Sequence, residues 1–430
     1  MLVWCRMTRR LFSLWHNRPN AWERVKLPMT PTSPIDVSER IELLDILRGF
    51  ALLGMLIIHM NDFTNDDHAI AGNITDFLLA NKALSIFSML FGMGFAVQML
   101  RMKATGRPFV GLYARRMIVL FIFGAANWCL VLGKGDVLHY YAIYGLMLLL
   151  FSRMSTRTAV ILAVCYLTLN VWRAPIILAI NSTLDAPARR AAALKKNGGV
   201  SVTKQLEQAQ MTATYPEFVV LQARQFKNFE SDPAIWASDI LVPTYYFPMF
   251  LLGFAAVKCG LISAIRERRK FIRGLMWSAL ALGIISNPLP YLNLKLAVPQ
   301  WTSRLSFLLS GPSLGIFYSC AFALMLESES MRRILRPLRW PGRMGLTNYI
   351  AHYAIVLFIY CGFGLGLMKR VNTFQAWGLA AVVFALIWTW SYLWLRRFPY
   401  GPLEWLWRTL TYGKPQTQLT APVPSTNPGV

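Results

Sequence analysis

The stretch "LLDILRGFALLGMLIIHMNDF", residues 43–63, decides how the rest of the chain is read. It is apolar over the length of a membrane span. Yet Asp45 and Arg48 stand at one end and His59 at the other, and the acidic run "NDFTNDDHA" follows at once. About 20 apolar residues in helical conformation cross the hydrocarbon core of a bilayer. A water-soluble helix of that length would carry a polar face.

Outward from this stretch the pattern repeats. The chain is 55% hydrophobic and only 15% charged, against about a quarter charged in soluble domains. Its mean hydropathy is +0.42. Apolar runs predict an all-α polytopic membrane protein with ten spans, near 43–61, 82–101, 111–132, 136–152, 158–181, 240–260, 271–290, 305–326, 346–367 and 375–395. The net charge of +24 is distributed as a topology signal. Roughly 29 of the 44 Lys and Arg fall in the flanks on one side of the predicted spans, which puts both termini in the cytoplasm and draws that face to anionic lipid. That distribution excludes nucleic acid as the partner. The six cysteines are scattered without paired spacing, so they read as small core hydrophobes.

The expected organisation is a basic tail over 1–40, a five-span half over 41–184, an external loop over 185–238, a second five-span half over 239–395, an interfacial segment over 396–414 and a tail over 415–430. Both tails read as disordered by composition, and Met29 offers a natural start within the first. The external loop has patchy helical periodicity, which suits either a lid or a spacer. In the interfacial segment Trp405 and Trp407 alternate with Arg408 and Lys414, the composition of an anchor lying in the headgroup layer.

The polar residues inside the spans are the candidates for function, because charge in a membrane is costly and usually has a use. Arg48, with Asp45 three residues before it, either snorkels to the headgroups or faces a cytoplasmic pocket and binds an anion. Arg115, Arg116 and Arg343 map to the same side and can join it. His59, His68 and His139 map to the outer side near Asp62, Asp66, Asp67 and Asp136. A histidine oriented by a carboxylate is the apparatus of general-base catalysis; hydrogen bonding at the interface is the plainer role. No close ligand spacing of the H-x-x-x-H kind occurs, so no metal is expected. In "TNYIAHY", Thr347, Asn348, His352 and Tyr353 partly share a helix face expected to turn inward, toward the cytoplasmic side of the ninth span. They either hydrogen-bond neighbouring helices or line a pocket. The glycines of "FGMGF" and "GFGLG" read as points of close helix approach.

Five stretches together resemble one family: "LDILRGFALLGMLIIHM" (44–60), "FSMLFGMGFAVQML" (87–100), "GDVLHYYAIYGLMLLLF" (135–151), "GRMGLTNYIAHYAIVLFIYCGFGLGL" (342–367) and "RRFPYGPLEWLWRTLTYG" (396–413). They resemble the YeiB-type bacterial membrane protein family, over residues 40–414. That family is similar, more distantly, to membrane acyltransferases that include the lysosomal heparan-glucosaminide N-acetyltransferase. The resemblance implies a multi-pass protein of the bacterial inner membrane. It further implies acyl-CoA, most simply acetyl-CoA, as co-substrate, and an acceptor such as a sugar or cell-envelope glycan on the outer face. The distant enzymes' Arg-Gly pair falls on Arg48-Gly49. Their Asn, eleven residues on, falls on His59, with Asn61 nearby as a substitute, and their loop histidine falls nearest to His68. On that reading Arg48, Arg115, Arg116 and Arg343 hold the CoA phosphates, and His68, His59 and Asp67 carry the chemistry. Asp45, Asn61, His139, Asn348 and His352 complete a polar pocket. Membrane lipid is the standing partner, and a homodimer is left open. The rival reading is a transporter or exporter of a small metabolite that uses the same polar path without making bonds.

Overall fold

A computed structural model describes residues 42–65, 69–106, 108–132, 136–183, 202–241, 244, 246–287 and 300–415. Both tails, Asp66, Asp67 and His68 lie outside the described residues. The described residues form helices and no strand. In chain order these are α1 (Glu42–Asn61), α2 (Ala69–Leu78), α3 (Lys82–Ala104), α4 (Phe109–Asn127), α5 (Leu138–Leu150), α6 (Thr156–Val171), α7 (Arg173–Thr183), α8 (Val202–Thr212), α9 (Tyr215–Glu230), α10 (Pro233–Leu241), α11 (Tyr246–Lys258), α12 (Arg269–Ser286), α13 (Gln300–Met325), α14 (Glu329–Leu335), α15 (Arg339–Arg343), α16 (Gly345–Tyr360), α17 (Thr373–Arg397) and α18 (Pro402–Tyr412). One π turn, Trp128–Leu132, extends α4.

Five helical stretches are long and apolar enough to cross a membrane: Glu42–Asn61, Gly72–Ala104, Phe109–Val131, Leu308–Met325 and Thr373–Arg397. There are six if Thr156–Asn170 and Pro175–Thr183, bent by 74°, form one broken span. Three segments expected as full spans are shorter apolar helices, Leu138–Leu150, Tyr246–Lys258 and Gly345–Tyr360. The run predicted over 346–367 stops at Tyr360 because the chain then turns back on itself, Leu365 N donating to the Phe358 carbonyl and Leu367 N to that of Ile359. Side chains such as Ile118, Ile122, Trp277, Ile285, Val382 and Leu386 are exposed on the outside of the bundle, where lipid is the natural solvent.

Glycine sets how closely these helices approach. At Gly92 an added Cβ would stand 2.0 Å from the Phe250 carbonyl oxygen, and at Gly253 1.9 Å from that of Met89, so α3 and α11 cross backbone to backbone. This is the small-residue packing that membrane helices use when no hydrophobic effect drives them together. Gly94, by contrast, has nothing within 4 Å of that position and borders open space. The Gly49 position lies 2.0 Å from the Leu338 carbonyl oxygen, and the Gly342 position 1.8 Å from that of Asp45. The chain around α15 is thereby clamped on the first turns of α1. Glu42 reinforces the clamp, pairing with Arg332 at 2.6 Å and Arg336 at 3.3 Å.

Two elements with little membrane character close the two ends. α18 packs on the first turns of α4 and α16, whereas α9 packs on the π turn at the far end of α4. α9 is started by a capping box, Thr214 with Glu217. Tyr215 Oη and Gln222 Nε2 seat it by donating to the Leu130 and Val131 carbonyls at 2.9 and 3.2 Å. The hydrophilic stretch read as a lid or a spacer is, over 202–241, three helices docked on the bundle.

Candidate functional site

A cavity of about 730 Å³ opens at the α18 end of the bundle and runs inward between α1, α3, α4, α5 and α16. Its mouth carries Arg48, Arg101, Arg116, Arg343, Arg408 and Lys414. Among the described residues two carboxylates share the mouth, Asp45 and Glu404, and both are engaged. Arg48 Nη1 donates to Asp45 Oδ1 at 2.7 Å, as the i, i+3 spacing on α1 dictates. Glu404, on α18, accepts from the Leu346 and Thr347 backbone N–H at 2.7 and 3.0 Å and from Thr347 Oγ1 at 2.6 Å. A carboxylate there satisfies the free N–H groups of the first turn of α16 and meets the positive end of its dipole. Burial pushes the Glu404 carboxyl above its ordinary value, and its bonds to Thr347 pull the other way.

α18 is therefore a wall of the cavity. The Arg116 guanidinium lies 4.0 Å from the Trp407 ring centre, and Trp407 Nε1 donates to the Arg116 carbonyl at 3.0 Å. Arg408 stacks on Tyr400 at 4.2 Å. Of the four arginines expected to gather, Arg48, Arg116 and Arg343 do so. Arg115 does not: one helical step round α4, its guanidinium lies beside Gly413, behind α18. Sequence reading missed Arg101, Glu404, Arg408 and Lys414 as site residues. The one usable signal was Glu404, an acid isolated in an aromatic, basic segment.

Inward from the mouth the lining turns apolar, with Leu90, Phe91, Met117, Leu120 and Leu138, and the cavity ends near Val137, Tyr141 and Tyr349. Gly94 lines it too, which accounts for the open space at that glycine. Tyr141 Oη is 2.8 Å from Ser88 Oγ, and Tyr349 Oη accepts from Val137 N at 3.4 Å. The arrangement fits a ligand with a strongly anionic head and a long, slender, mostly apolar arm.

Two histidine pairs flank Tyr349. On one side His59 Nδ1 is 2.9 Å from His352 Nε2, and His352 Nδ1 is 2.9 Å from the Asn348 carbonyl oxygen. A carbonyl only accepts, so His352 Nδ1 carries its proton and His352 Nε2 the lone pair. Neutral His59 is then assigned its proton on Nδ1 and its lone pair on Nε2. The His352 ring lies 5.7 Å from that of Tyr349, and Tyr353 meets His59 edge-on at 4.8 Å. His352 thus meets His59, which the sequence reading put on the opposite side of the membrane from it. The cause is the clamp at Gly342, which starts this part of the chain against Asp45, so that α1 and α16 run side by side from there.

On the other side, fully buried His139 holds Asp136 at 3.2 Å through both its Nδ1 and its backbone N–H, and Asn127 Nδ2 donates to Asp136 Oδ1 at 2.8 Å. Of the outer cluster expected from sequence, His59 and His139 stand in two separate pairs, while His68, Asp66 and Asp67 lie outside the described residues. Asn61 and Asn348 serve packing: Asn61 Nδ2 donates to Thr75 Oγ1 at 2.8 Å, and Asn348 Nδ2 to the Pro341 carbonyl at 3.0 Å and Ser391 Oγ at 2.9 Å.

Fold and site define a class, a helical membrane protein with a cation-mouthed cavity whose inner end is lined by Val137, Tyr141 and Tyr349. Sequence comparison then supplies the kinship. The family described as "Protein of unknown function (DUF418)" matches residues 256–414. The uncharacterized protein YxaH of Bacillus subtilis (strain 168) is 30% identical over 411 residues, 89% of this chain and 97% of that protein. An uncharacterized 39.9 kDa protein in the amylase 3' region of Bacillus acidopullulyticus is 27% identical over 388 residues, 89% of this chain and 96% of its own length. The uncharacterized protein YeiB of Escherichia coli (strain K12) is 27% identical over 409 residues, 87% and 96% of the two chains. The chain belongs to this YeiB-type family of bacterial membrane proteins.

Proposed function

We propose that this protein is an integral-membrane acyltransferase, which takes an acyl group from cytosolic acyl-CoA and passes it to a hydroxyl or amine of an acceptor nearer the outer face. One observation carries the reading: six cations at the mouth of a cavity of about 730 Å³ whose throat is apolar. CoA has that shape in negative, a phosphate-rich head on a long arm that ends in the thioester. Arg48, Arg116, Arg343 and Arg408 face the head, and the thioester end falls near Tyr349. There the acceptor X–H gives its proton to His59 Nε2 while X attacks the acyl carbon. The carbon–sulfur bond breaks and the thiolate takes that proton back from the His59 imidazolium, so acyl–X and CoA–SH leave and His59 is neutral again. His352 holds the His59 ring in the required tautomer, much as a carboxylate orients a catalytic histidine.

The test uses the whole chain in lipid nanodiscs with radiolabelled acetyl-CoA and envelope saccharides. Transfer of label to the saccharide, or to the protein with release of CoA, is the expected result. Movement of a saccharide or other metabolite across proteoliposomes with acetyl-CoA untouched would replace the enzyme by a transporter.

The same reading carries ten spans with both termini in the cytoplasm of a bacterium, the protein lying in its inner membrane. It is supported by the basic flanks and by the cation-rich mouth on the α18 side. Gln208 is exposed on α8, and a cysteine placed there is expected to react with an impermeant maleimide added to intact spheroplasts. Labelling only after lysis would invert the topology.

A further inference from the structure

One wall of the large cavity changes character along a single helix. From the inner end outward, the lining residues of α3 include Leu90, Phe91, Gly94, Gln98, Arg101 and Thr105. Spacings of four and three residues keep Gly94, Gln98 and Arg101 on one face. At a rise of 1.5 Å per residue, Gln98 stands about 4.5 Å inward of Arg101 and about 6 Å outward of Gly94. It is half-buried and is the only carboxamide among the described residues that line the cavity. A neutral group with two donors and one acceptor thus stands between the cations of the mouth and the apolar throat.

The other neutral polar groups of the wall have other work. Thr105 Oγ1 donates to the Met102 carbonyl at 3.1 Å. Tyr141 Oη is 2.8 Å from Ser88 Oγ, and Tyr349 Oη accepts from Val137 N. Tyr113 is 2% exposed, with its hydroxyl beside Gly145. A hydrocarbon chain passing Gln98 would strip water from the carboxamide and return no hydrogen bond, which is unfavourable. A chain with an amide of its own exchanges N–H···O=C bonds with it in both directions. One turn further in, an added Cβ at Gly94 would meet nothing within 4 Å, so the chain has room to continue.

We propose that Gln98 reads the arm of the ligand: it pairs with the pantetheine amide nearer the phosphates. The cavity thereby selects CoA thioesters over ligands whose anionic head carries plain hydrocarbon, such as a phospholipid. The inference rests on the acyl-CoA reading of the cavity and gives it a determinant of specificity. Gln98 binds and takes no part in bond making. The position fits the chemistry, because in CoA a short run of carbon separates the diphosphate from the first amide, and one helical turn separates Arg101 from Gln98.

Titration calorimetry on the full chain in nanodiscs tests this with two probes, CoA and ADP. ADP keeps the diphosphate end of the CoA head and lacks the arm. Gln98→Met keeps the length of the side chain and removes its donors and acceptor. Its affinity for CoA is expected to fall about tenfold, the order of one or two neutral hydrogen bonds, while ADP binds as to the wild type. Gln98→Leu is the second variant, with the same expectation. A CoA analogue with methylenes in place of the first amide should bind the wild type about tenfold more weakly than CoA does, and should lose nothing further in Gln98→Met. Wild-type CoA affinity in both variants would overturn the role of Gln98 and leave the acyl-CoA reading standing. An equal loss for CoA and ADP in both variants would overturn it as well, since that loss lies in the head site or the fold. A wild type that binds neither probe would overturn the acyl-CoA reading and this inference together.

Discussion

Replacing His59 with alanine is expected to lower acyl transfer by about 10²–10⁴-fold, the usual contribution of a positioned general base, while CoA binds as before. The expectation rests on the tautomer chain. The Asn348 carbonyl fixes His352, His352 fixes His59, and His59 Nε2 is left with the lone pair. Alanine would also leave the buried His352 Nε2 without its donor, which costs about 1–3 kcal/mol. His59→Asn is the companion variant, since its amide can still donate to His352 but cannot take up a proton. Turnover by single-exposure radiolabel assay, with CoA affinity measured alongside, separates the roles. Were His59→Ala and His59→Asn both to run at the wild-type rate while His68→Ala lost the full factor, the base would belong in the external loop.

Arg48→Ala is expected to weaken CoA binding by about 1–3 kcal/mol, five- to 150-fold, the range for a charge-assisted contact. Asp45, 8% exposed, would then stand without its cation and repel the phosphates as well. Arg48→Lys should recover part of the loss, because an ammonium keeps the charge but not the planar fork. Titration calorimetry with CoA and with dephospho-CoA measures both, and the wild-type affinity should fall as salt rises. An unchanged affinity in folded Arg48→Ala would leave Arg48 only a snorkelling role at the headgroups.

How much of this was legible in the chain differs from element to element. Hydropathy found the apolar helices, five or six of which are long enough to cross a membrane among the described residues, because apolar runs in lipid have no choice but to close their own backbone hydrogen bonds. Spacing paired Asp45 with Arg48, three residues apart on one helix, whereas the pairing of Asp136 with His139 was not singled out from the other outer aspartates. The burial of Asn348, His352 and Tyr353 followed from polar groups that lipid cannot satisfy.

Tertiary structure alone joined His59 to His352, 293 residues away. It also folded α18 back, so that Glu404 caps α16 and Arg408 completes the mouth. The physical reason is the solvent. In water a helix advertises its inner face by contrast with a polar outer one. In a bilayer both faces are apolar, and the choice of partner passes to glycine contacts such as Gly49 on Leu338 and Gly342 on Asp45, whose matching surfaces exist only once the chain has packed.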